Sequence, residues 1–252
     1  ICAAYAAKDK RVRVLPSPTN RGILWNHRRV LELIDDNSVY FRWAGADDTL
    51  EPGLLQYLVD VLDSRPDVEA VIPDTKNNDD DGNFIGAMER CLDMQQDDPV
   101  QRVRQLMLAS YQHVMAYGLL RAQTLRVLRT GPNYIGWDPI FIWELALRGK
   151  VVHREGPILY RRWHKGSISR VKTVKEMRKW VEPNAGTGMS FPHWNWAYER
   201  ARALMASPLP MKDRLRVAGF LVRCTAWDRG DMLNDVVQAT RRALGLSDKY
   251  TF

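Results

Sequence analysis

Residues 39–50 read Val39-Tyr40-Phe41-Arg42-Trp43-Ala44-Gly45-Ala46-Asp47-Asp48-Thr49-Leu50. The first six are rich in β-branched and aromatic side chains, the composition of a strand. Gly45-Ala46 ends that run, and two adjacent carboxylates follow at once. In open α/β sheets, ligands bind outside the carboxyl ends of the strands. Neighbouring carboxylates repel unless a cation or a hydrogen-bond donor neutralises them. Carboxylates with few protein partners suit Mg²⁺ or Mn²⁺ that also grips substrate phosphates. The alternative is that Asp47 or Asp48 caps the helix that follows.

On either side, the pattern alternates. Arg11–Leu15 reads as a short strand ended by Pro16 and Pro18, and Thr19-Asn20-Arg21-Gly22 as a loop with a glycine free to take positive φ. Residues 23–34 carry apolar side chains near helical spacing, and Pro52 opens a helix over 53–62. Val68–Ile72 is a further strand. Strand, helix, strand, helix, strand over 11–73 implies an α/β fold with a mostly parallel sheet and helices packed on it. The NNDDDGN stretch, Asn77–Asn83, reads as a hairpin loop; a calcium loop would need a longer ligand pattern ending in Glu. Helices are expected over 100–110, 121–128 and 137–148, with a short strand over 113–117 and a strand over 151–160. Beyond about residue 170 only helices are expected, at 171–181, 195–206, 211–227 and 231–244. This places a domain over 1–170 and a helical region over 171–252.

Composition limits the function classes. The chain has 252 residues, 45% hydrophobic and 27% charged, with 10% aromatic, 16 Gly and 13 Pro. These are the proportions of an ordinary globular protein and exclude disordered or collagen-like chains. No run of about 18 apolar residues occurs, as a spanning helix would require. The net charge of +7 is spread in pairs such as Arg28-Arg29, Arg161-Arg162 and Arg241-Arg242. That is compatible with a phosphate-bearing partner but is no polybasic tail. No helix-turn-helix, zinc or RNA-binding signature appears, so nucleic acid is not expected as a partner. Cys2, Cys91 and Cys224 show no metal spacing and suit a reducing cytoplasm. The opening residues have neither the n-region nor the h-region of a signal peptide.

An ordered series of residues surrounds the acidic pair: Asp9-x-Arg11-Val12, Asn20-x-Gly22, Asn26, Tyr40-Phe41-x-Trp43, Asp47-Asp48, Pro52, Leu54-Leu55 and Pro66-Asp67. With these spacings the stretch from Cys2 to Thr75 resembles the family-2 glycosyltransferases of the GT-A fold. The resemblance extends to about Ser169 through Tyr117-Gly118-Leu119-Leu120-Arg121, Trp137-Asp138 and Tyr160-Arg161-Arg162-x-His164. It implies a metal-dependent, inverting transfer of a sugar from a nucleotide-sugar donor to a saccharide or lipid-linked acceptor, as in polysaccharide biosynthesis. By that resemblance Asp48 contacts Mn²⁺ or Mg²⁺ at the diphosphate, Asp47 lies near the donor ribose or sugar, and His164 and Arg162 approach the metal or phosphates. Asn20 and Gly22 border the nucleotide. Asp138 is the base that takes the acceptor proton, although Asp138-Pro139 is also a good local cap. Family members place a strand, helix and strand ahead of the position of Ile1, a unit of roughly 30 residues. The chain is thus expected to lack that βαβ unit and its base pocket. A noncatalytic binding protein that keeps the fold is the competing expectation. Arginine-rich residues 211–227 are consistent either with a helix packed on the domain or with peripheral contact at the inner face of an anionic membrane.

Overall fold

A computed structural model describes residues 1–86, 93–108, 117–128, 137–164, 166, 174–181, 183 and 191–246. Among the described residues, five strands form one sheet: β1 (Tyr40–Phe41), β2 (Thr49–Leu50), β3 (Val68–Asn78), β4 (Leu119–Arg121) and β5 (Lys150–Arg162), in the order β1-β4-β3-β5-β2. The sheet is mixed. β3 and β5 run parallel over nine residue pairs, whereas the β1–β4, β3–β4 and β2–β5 ladders are antiparallel and two pairs long. The α/β expectation holds, and the parallel ladder carries most of the pairing.

The first two expected strands fare differently. Residues 11–15 are exposed and irregular. Alternation alone cannot make a strand without a neighbour to take its backbone hydrogen bonds, and here Arg13 instead pairs with Asp35 at 2.9 Å. The aromatic run at 39–44 keeps only Tyr40 and Phe41 in the ladder, because β4 offers just three residues to pair with. β3 runs on beyond Ile72 to Asn78, and the loop that follows turns back at Gly82, φ 88°, with Asn78 bridging Phe84 as a hairpin requires.

Helices α1 (Cys2–Lys8), α2 (Ile23–Leu31), α3 (Leu54–Ser64), α4 (Pro99–Leu108), α5 (Ala122–Val127) and α6 (Trp137–Arg148) precede β5; α7 (Val174–Val181), α8 (Pro192–Met205), α9 (Met211–Trp227) and α10 (Arg229–Ala243) follow it. α8 begins at Pro192, three residues before the expected start, since a proline at the first helical turn forfeits no intrahelical bond. The expected strand at 113–117 lies, apart from Tyr117, outside the described residues, as does Cys91.

Two apolar layers sandwich the sheet. Leu54, Leu58 and Leu62, one stripe of α3, meet Val68, Val71 and Val152 on one face. On the other, Ala70, Ile72 and Leu120 meet α6, whose residues Ile140–Leu147 are buried all round. Val217, Phe220 and Leu221 of α9 and Ala203 and Leu204 of α8 belong to this same core, so it continues across residue 170. Arg102 of α4 pins α6 from inside. Its buried guanidinium donates to the carbonyls of Ala146, Gln96 and Asp97 at 2.7–2.8 Å.

Candidate active site

Short β2 decides where the acidic pair stands. Thr49 pairs with Tyr160 and Leu50 with Leu159, so Asp47 and Asp48, just before β2, face Arg161, Arg162 and the residues just past β5. The Arg162 backbone N–H donates to Asp48 Oδ1 at 3.3 Å. His164 Nε2 lies 3.1 Å from Asp47 Oδ2. Both carboxylates crowd Gly45: a Cβ there would stand 2.5 Å from Asp48 Oδ2 and 3.2 Å from Asp47 Oδ1. Any larger residue would displace the pair.

Electrostatics distinguish the two acids. Asp48 is half-buried, and burial pushes its carboxyl above the usual range. The Arg162 N–H opposes this, Asp47 adds to it, and the charges of Arg161 and Arg42 oppose it. Asp47 is exposed. Arg42, at the end of β1, has a buried Nε without a hydrogen-bond partner. Burial lowers its pKa, while the charge of Asp48 acts the other way.

Tyr117 joins the acidic pair to the remaining predicted acid. Burial raises its phenol pKa; Arg161 opposes the rise, and Asp48, Asp138 and Asp47 all add to it. One phenol thus feels all three carboxylates, and the packing of Trp137 on Trp43 at 5.8 Å sets the start of α6 beside the run that leads into the pair. Asp138 sits in the first turn of α6, where the helix dipole favours an anion. Its position is fixed by Trp137, whose ring packs on His27, Trp43 and Phe141 at centroid distances of 5.3–5.8 Å.

Asn20 and Gly22 lie at the start of α2. Asn20 Oδ1 accepts from the Gly22 N–H at 3.0 Å. Gly22 has φ 92°, and its Cα abuts the Val181 carbonyl at the end of α7. That position therefore requires glycine for both conformation and space. A cavity of about 450 Å³ opens elsewhere, between Tyr5, Val12, Val14, Val30 and Leu33, and contains none of the predicted acids.

The structure thus brings Asp47, Asp48, Arg162, His164 and Asp138 around one sheet end. It adds Arg42, Tyr117, Arg161 and Gly45. Sequence spacing carried one signal for Arg42, an arginine inside an otherwise apolar strand; Tyr117 and Gly45 carried none beyond their place in longer motifs. Among the described residues, no group of three or more His, Cys, Asp or Glu side chains could hold a metal ion.

Residues 1–111 match the model of Glycosyl transferase family 2. This stretch belongs to that family. The mixed sheet flanked by helices is accordingly of the GT-A type, and the chemistry of the class is glycosyl transfer from nucleotide-sugar donors to acceptors, generally with a divalent metal. The match contains Asp47 and Asp48 and ends before Asp138, Arg162 and His164, whose connection to the pair is the geometry above. No curated protein matches the chain. Among the described residues, no helix is long and apolar enough to cross a membrane.

Proposed function

We propose that this chain is an inverting glycosyltransferase that moves a sugar from a nucleoside-diphosphate donor to a hydroxyl of a saccharide or a lipid-linked acceptor. The observation that carries the reading is the meeting of Asp47 and Asp48 with the end of β5, with the start of α6 held nearby by the packing of Trp137 on Trp43.

Asp48, supported by one backbone N–H, suits a hard cation such as Mn²⁺ or Mg²⁺ that keeps water and phosphate oxygens among its ligands and needs no all-protein cage. Such a cation, when bound, neutralises charge on the diphosphate leaving group. Asp47, held by His164, would face the donor sugar or ribose, and His164 would be a further contact for the cation or the phosphates. Arg161 and Arg162 supply positive charge to the phosphates. Asn20 and Gly22 border the nucleotide. Asp138 accepts the proton of the acceptor hydroxyl as that oxygen forms its bond to the anomeric carbon. The bond from that carbon to the diphosphate breaks on the opposite face, and the diphosphate leaves with the electron pair. Peripheral contact with a membrane at its cytoplasmic face would place the enzyme beside a lipid-linked acceptor.

The test is release of nucleoside diphosphate from a panel of nucleotide-sugars with Mn²⁺ and candidate acceptors. Asp138→Asn is expected to keep donor binding and lower turnover by roughly 10²–10⁴-fold. Unchanged transfer would remove Asp138 as the base. Donor binding without turnover in the unaltered chain would favour a binding protein that keeps the fold.

A further inference from the structure

Helices α9 and α10 are separated by one residue, Asp228. Each buries one face. Val217, Phe220, Leu221 and Cys224 of α9 enter the core shared with α8. On α10, Met232 and Asp235 turn to α8, where the Trp194 indole N–H donates to the Met232 carbonyl and the His193 backbone N–H donates to Asp235.

The opposite faces are unexpectedly apolar. At about 100° per residue, Met211, Leu215, Gly219, Val222 and Ala226 align as one outward stripe on α9, and Gly230, Leu233, Val237 and Leu244 as another along α10 and its end. The large side chains among them are 54–70% exposed. Basic residues border both stripes. Lys212 and Arg223 line one edge on α9, and the Arg223 guanidinium lies 6.0 Å from the ring centre of exposed Trp227. Arg241 and Arg229 lie on either side of the α10 stripe. Carboxylates are kept off both. Asp213 sits near the buried side and pairs with Arg216 at 2.9 Å, Asp235 is buried against His193, and Asp231 projects toward the opposite flank.

We propose that the outward faces of α9 and α10 form a docking surface for an anionic lipid bilayer, with the Leu and Val stripes entering the headgroup boundary and the flanking cations meeting lipid phosphates. Charge decides the occupant. Apolar stripes bordered by Lys and Arg, with Trp227 at the end of α9 and the one intervening carboxylate, Asp228, within 3.9 Å of Arg200, complement a negative interface. A second copy would set cation against cation. The proposal rests on the membrane-contact part of the proposed function and gives it a place on the molecule. Its failure would leave the transfer chemistry untouched.

The 252-residue chain is mixed with phosphatidylcholine vesicles with and without phosphatidylglycerol, and bound protein is measured by flotation. Binding to anionic vesicles is expected to be on the order of tenfold tighter or more, and to weaken with salt. Leu233→Asp with Val237→Asp is expected to abolish it while leaving the circular dichroism, the unfolding midpoint and nucleotide release from soluble donor unchanged. Lys212→Glu with Arg223→Glu is expected to remove the preference for anionic lipid. Equal binding to both vesicle types, or full binding by the Asp variant, overturns the proposal. So does a dimer in sedimentation that the Asp variant dissociates, or an acidic protein that the stripes bind in place of vesicles. Loss of nucleotide release with vesicle binding intact would instead count against the transferase reading.

Discussion

His27 ties the stability of the fold to pH through the same aromatic cluster that positions Asp138. Its ring lies between Trp43 and Trp137, at centroid distances of 5.7 and 5.3 Å, and its Nδ1 is buried without a hydrogen-bond partner. Burial lowers its pKa from 6.5 to about 4, with only a smaller opposing pull from the Ile23 backbone. Above pH 6.5 the imidazole is neutral in both folded and unfolded chains, and its contribution to stability is fully present. As pH falls below 6.5, the unfolded chain binds a proton that the folded chain refuses, so stability is lost until the folded ring itself titrates near pH 4. At about 1.4 kcal/mol per unit, the loss is about 2 kcal/mol by pH 5 and approaches roughly 3 kcal/mol below pH 4. The window between pH 6.5 and 5 lies above the range in which carboxylates such as Asp67 and Asp98, whose pKa values are lowered mainly by Arg65 and Arg216, begin to contribute. Urea unfolding followed by tryptophan fluorescence at pH 7, 6 and 5 measures it. The midpoint should fall by about 1 M, given slopes of roughly 1–3 kcal/mol per molar urea. His27→Phe, which fills the same aromatic space, should remove about 2 kcal/mol of this pH dependence. A variant with the same slope as the unaltered chain would show that His27 titrates normally, and would refute the reasoning.

Gly45→Ala tests the acidic pair without touching it. The added methyl meets the tips of Asp48 and Asp47 at 2.5 and 3.2 Å. These ends can swing away, so the unfolding free energy should change by less than about 1 kcal/mol, while Mn²⁺-dependent donor binding, read by calorimetry, should weaken about tenfold or more. Unaltered donor binding would separate the pair from the ligand. Arg102→Ala leaves the Ala146 carbonyl of α6 and the Gln96 and Asp97 carbonyls of the loop before α4 without their donor, the first in a buried place. It should cost about 3 kcal/mol in urea unfolding, and the folded fraction should keep its turnover; a cost below about 1 kcal/mol would mean those carbonyls find other donors.

The acidic pair after an aromatic strand was legible because a strand and its terminal carboxylates are local in sequence. So were α3, α6, β5 and the four C-terminal helices, whose periodicities are strong. The strand expected at 11–15 was not realised, because a strand is completed by a partner that lies elsewhere in the chain, and none of the described residues pairs with it. β1 was shorter than its composition implied for the same reason: β4 is three residues long. Arg42 and Tyr117 went unassigned because their significance is what they face. An arginine or a tyrosine acquires a role only when burial strips it of water beside a particular carboxylate.

By itself, then, the sequence determined the α/β class, the family of its first 111 residues, and the identity of the acids at the sheet end, all of which follow from local pattern and ordered spacing. Tertiary structure alone decided that the end of β5 meets Asp47 and Asp48, that Trp137 packs on Trp43 and so sets Asp138 near them, and that α8 and α9 share the core of the sheet. Each of these joins residues far apart in the chain through the antiparallel β2–β5 pairing or through packing. Such contacts depend on how strands and helices find their partners, which no local run of residues encodes.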